Sequence, residues 1–129
     1  MYDFIGDVHG HAAELRKLLS MMDYHEVSGV YRHPTRKAFF LGDYIDRGPR
    51  VKESVDLIRA MVNAGTAKAI MGNHEFNALC FHTASEAGGF VRPHSAKNIE
   101  QHQATLDAYA DKDELGEALD WMLTLPLYY

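Results

Sequence analysis

A chain of 129 residues, 47% apolar and 24% charged, has the make-up of one globular domain, or part of one, with a sizeable core. Its formal net charge of -5 argues against a general polyanion binder, because nucleic-acid domains carry a basic face that neutralises several phosphates. No run approaches the ~18 consecutive apolar residues of a membrane span, and Met1-Tyr2-Asp3 opens with an acid where a secretory signal has basic residues, so a cytoplasmic protein with neither nucleic-acid nor membrane partners is expected.

Tyr2-Asp3-Phe4-Ile5 is a short apolar run stopped by Gly6, which reads as a strand. Residues 12–22 then put Leu15, Leu18, Leu19 and Met22 at helical spacing. The stretch YHEVSGVYRHPTR, residues 24–36, mixes β-branched residues with Ser-Gly and Pro, and predicts an irregular hairpin or loop excursion. Lys37 to Leu41 forms a second strand. Past Gly48-Pro49, Val51, Val55, Ile58 and Val62 recur one turn apart, and Gly65 stops that helix. Ala67 to Met71 is a third strand, closed by Gly72. Ser85 to Ser95 reads as a loop, followed by helices over about 97–109 and 114–123, the second with Leu115, Ala118, Leu119 and Met122 on one face.

The order is therefore β-α-β-α-β plus two carboxyl-terminal helices, an α/β fold in a single domain. Residues 1–76 form its motif-bearing core and 77–129 a loop and helical cap. Asp7, Asp43 and Asn73 recur at intervals close to the ~30 residues of a crossover unit, so the strands run parallel. All three then end on one edge of the sheet, where α/β proteins assemble their sites. The loops leaving that edge read GDVHG, GDYIDRG and GNHE.

Asp7, His9, Asp43 and Asn73 offer oxygen and imidazole donors of the kind that hold Mn, Fe, Zn or Mg. Two ions ~3.5 to 4 Å apart need a carboxylate between them, and Asp43, from the middle loop, is the natural bridge. Such a pair makes a hydroxide nucleophile available at neutral pH by lowering the pKa of bound water. Arg47 presents a planar fork matched to phosphate oxygens. His74 follows Asn73 directly, and beside Asp46 its imidazole is kept protonated and oriented to give a proton to a departing alkoxide. Taken singly, an Asp after Gly is a turn residue or helix cap more often than a ligand; three such loops at crossover spacing have little structural reason to coincide. Glu75 reads as a stabiliser of a helix's first turn, Cys80 as a small buried hydrophobe, and His11, His25, His33, His82, His94 and His102 receive no role.

In this order and spacing, GDVHG, GDYIDRG and GNHE resemble the first three motifs of the calcineurin-like metallophosphoesterases, and the DRG and GNHE forms resemble the phosphoprotein phosphatase branch, that of the bacterial serine/threonine phosphatases. The resemblance covers residues 4 to about 76 closely. It implies a β-sandwich flanked by helices and two divalent metal ions, Mn or Fe/Zn. By the same resemblance Asp7, His9 and Asp43 hold the first ion, Asp43 and Asn73 serve the second, Arg47 binds substrate phosphate, and His74 with Asp46 forms an acid dyad. The implied activity is metal-dependent hydrolysis of a phosphoprotein or small phosphomonoester; a dinucleoside polyphosphate hydrolase and a non-catalytic metal- or partner-binding remnant are the alternatives.

Family members complete the second metal site with two histidines from later strands, the first in a VHAG or VHGG segment shortly after a Leu-Pro-Leu run. Leu125-Pro126-Leu127-Tyr128-Tyr129 is the last stretch here, and neither histidine is present in register. The expectation is an amino-terminal portion of the domain that keeps a first-metal site, hydrolyses phosphoesters poorly and self-associates through an unpaired sheet.

Overall fold

In the computed structural model, which describes residues 1–129, the elements run β1 (Tyr2–Ile5), α1 (Ala12–Met21), β2 (His25–Val27), β3 (Val30–Arg32), β4 (Lys37–Phe40), α2 (Val51–Asn63), β5 (Ala67–Ala69), α3 (Asn73–Phe81), α4 (Ala96–Ala108) and α5 (Lys112–Leu123). The three apolar strands pair in parallel in the order β1-β4-β5, with Ile5 opposite Phe40 and Phe40 opposite Ala69. Strands β4 and β5 end slightly earlier than the sequence pattern predicts. Their next amides still bond, Leu41 N to Ile5 O at 2.9 Å and Ile70 N to Phe40 O at 3.1 Å, but Met71 N turns away to Pro126 O at 2.8 Å.

Side chains alternate across such a sheet, and here one face only is covered by helices. Ile5, Ala38, Phe40, Ala67 and Ala69 point into a core shared with Leu15 and Leu19 of α1 and with Val55, Ile58 and Met61 of α2. The same core takes in Tyr109, at the end of α4, and Ala118, Trp121 and Met122 of α5, so the carboxyl-terminal helices belong to one hydrophobic interior with the motif-bearing strands. The opposite face carries Tyr2, Phe4, Phe39 and Lys68. Phe39 packs against Phe4 and Tyr129 with ring centroids 5.4 and 5.3 Å apart, and Lys68 Nζ lies 4.7 Å from the Tyr129 ring centre. Phe4 is nonetheless 67% exposed. The sandwich implied by the resemblance is thus represented in these residues by one sheet, with no second sheet against its aromatic face.

The excursion at residues 24–36 is a hairpin. Strands β2 and β3 pair antiparallel across a two-residue Ser28-Gly29 turn, with φ of 52° and 82° at those residues, the left-handed pair that a tight hairpin requires. Helix α4 starts at Ser95, whose hydroxyl accepts from Asn98 N at 3.2 Å, and α5 at Asp111, whose carboxylate accepts from Asp113 N and Glu114 N at 2.8 and 3.2 Å. Both are side-chain N-caps that satisfy otherwise orphaned amides.

Close backbone approach decides where the three carboxyl-edge loops can lie. A Cβ on Gly48 would sit 2.1 Å from His9 O, and one on Gly72 would sit 2.4 Å from Asp43 N. These two glycines let the second loop pack on the first and the third on the second. Gly116, inside α5, meets nothing within 4 Å. Gly72→Ala is therefore expected to destabilise the chain by about 1–3 kcal/mol through overpacking, while Gly116→Ala stabilises it by about 0.4–1 kcal/mol by restricting the unfolded chain. Urea unfolding midpoints of the two variants, measured side by side, check both signs.

Candidate active site

The site begins as backbone under strain. Seven non-glycine residues of the chain have positive φ, and five of them, Asp7 (32°), His9 (42°), Asp43 (60°), Asp46 (68°) and Arg47 (71°), lie in the first two loops. Left-handed conformations of this kind cost on the order of 1–3 kcal/mol each and persist only where the surroundings over-determine them. Here the loops hold each other: His9 N donates to Asp43 O and Gly10 N to Tyr44 O, both at 2.9 Å, and Arg50 N donates to Gly10 O at 2.9 Å. Tyr44, fully buried, ties the strand ends together through its hydroxyl, which lies 3.0 Å from Phe40 O and 2.7 Å from Ile70 O and accepts from Gly42 N at 3.1 Å.

Glu75 closes the arrangement. It has no solvent exposure, yet no cationic side chain pairs with it. Its Oε1 accepts from Asp43 N at 2.7 Å and Gly72 N at 3.0 Å, and its Oε2 from Tyr44 N at 2.9 Å. Burial raises its pKa, and the three backbone amides pull the other way without cancelling it. Sequence reasoning assigned Glu75 to the first turn of α3 alone; the bond to Gly72 N is that role, but the other two reach across 31 and 32 residues to pin the second loop against the third.

This framework brings Asp7, His9 and Asp43 together, with one ligand-type atom from each lying within 4.8 Å of the others. His9 is buried and its Nδ1–H donates to Ile45 O at 2.8 Å, which fixes the tautomer and leaves Nε2 as a lone-pair donor, the usual outer support of a metal-binding imidazole. Asn73 brings its amide to 3.0 and 3.1 Å from the two Asp43 oxygens, where the nitrogen pairs with them; turning the carbonyl oxygen inward instead adds another hard donor. Asp43 Oδ1 also accepts from His74 N at 3.1 Å. Two carboxylates, an amide and an oriented imidazole, with no thiolate, form a donor set that fits a divalent ion of borderline hardness.

Beside the cluster, Asp46 Oδ2 lies 2.7 Å from His74 Nδ1, so these two sequence candidates do meet. Arg47 is on the rim. No carboxylate pairs with its guanidinium, and it lines a polar cavity of about 600 Å³ together with Asn73, His74, Asn77, Lys97, Glu100 and Gln101.

Asp46 has further partners on α4 that sequence reasoning left without a role. His102 Nδ1 lies 2.7 Å from Asp46 Oδ1, Thr105 Oγ1 donates to the same oxygen at 2.7 Å, and His82 Nε2 stands 3.0 Å from His102 Nε2. Burial alone would raise the Asp46 pKa, but the hydrogen bonds from His102, Thr105 and His74 outweigh it and hold the carboxyl below its ordinary value. His82 is pulled down to about 4, by burial first and then by the neighbouring His102 and His94. His94 stacks on Phe81 and Phe90 with centroids 3.8 and 4.1 Å apart and donates to or accepts from no carboxylate. The sequence signal available for His102 was its spacing from Thr105 and Tyr109, three and seven residues on, along the buried face of α4: a polar pair on a core-facing stripe.

The sequence profile described as calcineurin-like phosphoesterase matches residues 2–124. An asymmetrical bis(5'-nucleosyl)-tetraphosphatase from Halalkalibacterium halodurans is 43% identical over 74 residues, 57% of this chain and 30% of that protein. A symmetrical bis(5'-nucleosyl)-tetraphosphatase from Janthinobacterium is 31% identical over 123 residues, 95% of this chain and 37% of that one. Among solved structures, a protein serine/threonine phosphatase from Saccharomyces cerevisiae superposes with a TM-score of 0.62 at 18% identity, covering 98% of this chain and 33% of that one. The matched segments thus make up about a third of the length of these relatives. No helix is long and apolar enough to cross a membrane.

Removing the Glu75 carboxylate leaves one buried and two part-buried backbone amides without partners, so Glu75→Ala is expected to cost about 3 kcal/mol or more. Glu75→Gln, which keeps one acceptor oxygen, should cost less. Denaturant unfolding of the two variants measures the difference; equal stability of Glu75→Ala and the wild type would show that the loops are held by other means.

Proposed function

The chain belongs to the calcineurin-like phosphoesterase family, and from that premise we propose that its site serves the metal-dependent hydrolysis of a phosphoester or phosphoanhydride bond. The observation that carries the reading is the 2.7 Å pairing of Asp46 with His74 next to the Asp7, His9 and Asp43 cluster: an oriented acid beside a cation-type donor set. In this reading Asp7, His9 and Asp43 hold one divalent ion, and Asp43 with Asn73 contributes to a second, manganese or an iron/zinc pair. Bound ions would supply an acidified water and neutralise charge on the phosphoryl oxygens.

The chain's own residues supply the rest. Arg47, free of internal ion pairs, takes two phosphoryl oxygens with its fork and orients the group in the cavity. His74 has Nδ1 committed to Asp46, so Nε2 is the nitrogen left to protonate the departing oxygen, and the ionised Asp46 stabilises the imidazolium that this requires.

The names of the relatives favour a dinucleoside tetraphosphate as substrate. A second reading, a phosphomonoester or phosphoprotein phosphatase, is favoured by the dyad itself. A nucleotide leaves as a stabilised phosphate anion and needs little help, whereas an alkoxide leaves poorly until it is protonated.

Mn2+ titration of the chain, followed by calorimetry, is expected to show binding that weakens at least about 10-fold in Asp43→Asn or His9→Ala. Metal-dependent turnover of diadenosine tetraphosphate against a phosphoserine peptide then ranks the two substrate classes. His74→Asn should slow the peptide by about 100-fold or more and the anhydride less. Turnover that survives complete chelation would end the reading, and tight metal binding with no turnover of either substrate would favour a non-catalytic role.

The exposed aromatics Tyr2 and Phe4, beside Phe39 on the sheet face that no helix covers, support self-association of the chain. Light scattering is expected to give a mass that rises with concentration and falls in Phe4→Lys; a constant monomer mass at high concentration would contradict it.

A further inference from the structure

Helix α4 contributes a buried polar face to the dyad that none of the three loop motifs marks. His102 and Thr105, three residues apart, both end on Asp46 Oδ1 at 2.7 Å, and Asp46 N donates back to Thr105 Oγ1 at 3.0 Å. All three residues are nearly inaccessible: Asp46 is 3% exposed, His102 5% and Thr105 1%. Behind them His82, at the carboxyl-terminal cap of α3, is half-buried with its Nε2 3.0 Å from His102 Nε2.

The protons in this row can be assigned from what each group is able to do. An ionised carboxylate only accepts, so the His74 and His102 rings must both carry hydrogen on Nδ1, and the Thr105 hydroxyl must point at Asp46. A neutral His102 then has a lone pair at Nε2 and needs a donor, which a neutral His82 provides as Nε2–H. With His102 neutral the row is directional: His82 donates to His102, His102 donates to Asp46, and His74 donates to Asp46 from the other side. With Oδ1 held by two donors on α4, the carboxylate cannot rotate without leaving buried groups unpaired.

We propose that His102, backed by His82, is a positioning residue: it holds Asp46 by Oδ1 so that Oδ2 stays aimed at His74 Nδ1 and His74 is locked in the tautomer that leaves Nε2 free for the leaving group. Helix α4, which carries none of the residues assigned to the metal ions, and His82 at the carboxyl-terminal cap of α3 thereby become part of the acid machinery. The inference rests on reading His74 as the leaving-group acid, and the experiment separates the two.

Long-range proton–nitrogen NMR spectra of the nitrogen-labelled chain report which ring nitrogen carries the proton. In the wild type His74 and His102 should be in the Nδ1–H form and His82 in the Nε2–H form. In His102→Ala, His74 should lose its single tautomer and show averaged nitrogen shifts. In His102→Asn, where an amide N–H can stand in for Nδ1–H, it should keep the wild-type pattern. The amide fingerprint reads folding; if His102→Ala does not fold, His82→Phe against His82→Gln carries the comparison, with the His102 proton expected to move or exchange only in the former. A wild-type His102 protonated on Nε2 alone, or a His74 tautomer indifferent to both pairs of variants, would overturn the proposal.

Turnover adds a second readout. Loss of positioning should lower kcat about 10-fold on an alkyl phosphate, much less on 4-nitrophenyl phosphate, with KM unchanged and His102→Asn restoring the rate. An equal loss on both esters would mark a purely structural role and overturn the proposal as well. If His74→Asn itself is blind to the leaving group, the dyad reading fails, while the tautomer spectra still decide whether His102 positions Asp46.

Discussion

A single buried carboxylate with only backbone partners organises this protein. Glu75 sits at the start of α3 without solvent exposure and takes three amides, two from the second loop and one from the third. A carboxylate without a cation is costly in a dry interior, and its raised pKa expresses that cost. What offsets it is geometric: each amide belongs to a turn whose glycine or left-handed residue cannot pair within a strand or helix. The glycines at 48 and 72 allow the backbones to approach, and Glu75 supplies the acceptors that make the approach stable. The strained φ values at Asp43, Asp46 and Arg47 follow from that packing, because the loop has no room to relax into an ordinary turn.

The second buried carboxylate has the opposite environment. Asp46 is as inaccessible as Glu75 is, yet it is met by side-chain donors from two helices and held below its ordinary pKa. Two acids of similar burial are thus pushed in opposite pKa directions by what surrounds them. The difference lies in donors with mobile protons: backbone amides orient Glu75 but can exchange nothing with it, whereas His74, and behind it His102 and His82, form a chain of titratable rings leading from α3 and α4 to the cavity beside Arg47.

The structure is tied together most fully at the edge formed by the strand ends and is most exposed at the aromatic face of the sheet. Asp7, His9 and Asp43 converge with an imidazole already oriented for metal binding, and the cavity beside them is lined by no hydrophobic residue, which suits a charged phosphoryl group better than an apolar ligand. On the aromatic face Tyr129 packs on Phe39 while Phe4 stays exposed, and the matched segments make up 30% and 37% of the two relatives' lengths.

Much of this was legible in the chain itself. Short apolar runs that stop at glycine marked the three strands, Val51 to Val62 marked a helix by its one-turn spacing, and the recurrence of Asp7, Asp43 and Asn73 at crossover intervals placed their loops on one edge, because local chirality allows parallel strands few other connections. The pairing of His74 with Asp46 was legible for the same reason, since both lie within a few residues of positions already brought together. The parts that needed coordinates are those set by distance in sequence. Nothing local distinguishes Glu75 as a helix cap from Glu75 as the clasp of two loops, and His102 looks like any histidine on a helix until α4 is docked. Periodicity determines which face of an element is buried; which polar groups share that burial depends on how the helices pack. Tertiary structure alone decided that, because an unpaired polar group in the interior is expensive enough to select one arrangement among several that satisfy the hydrophobic pattern equally well.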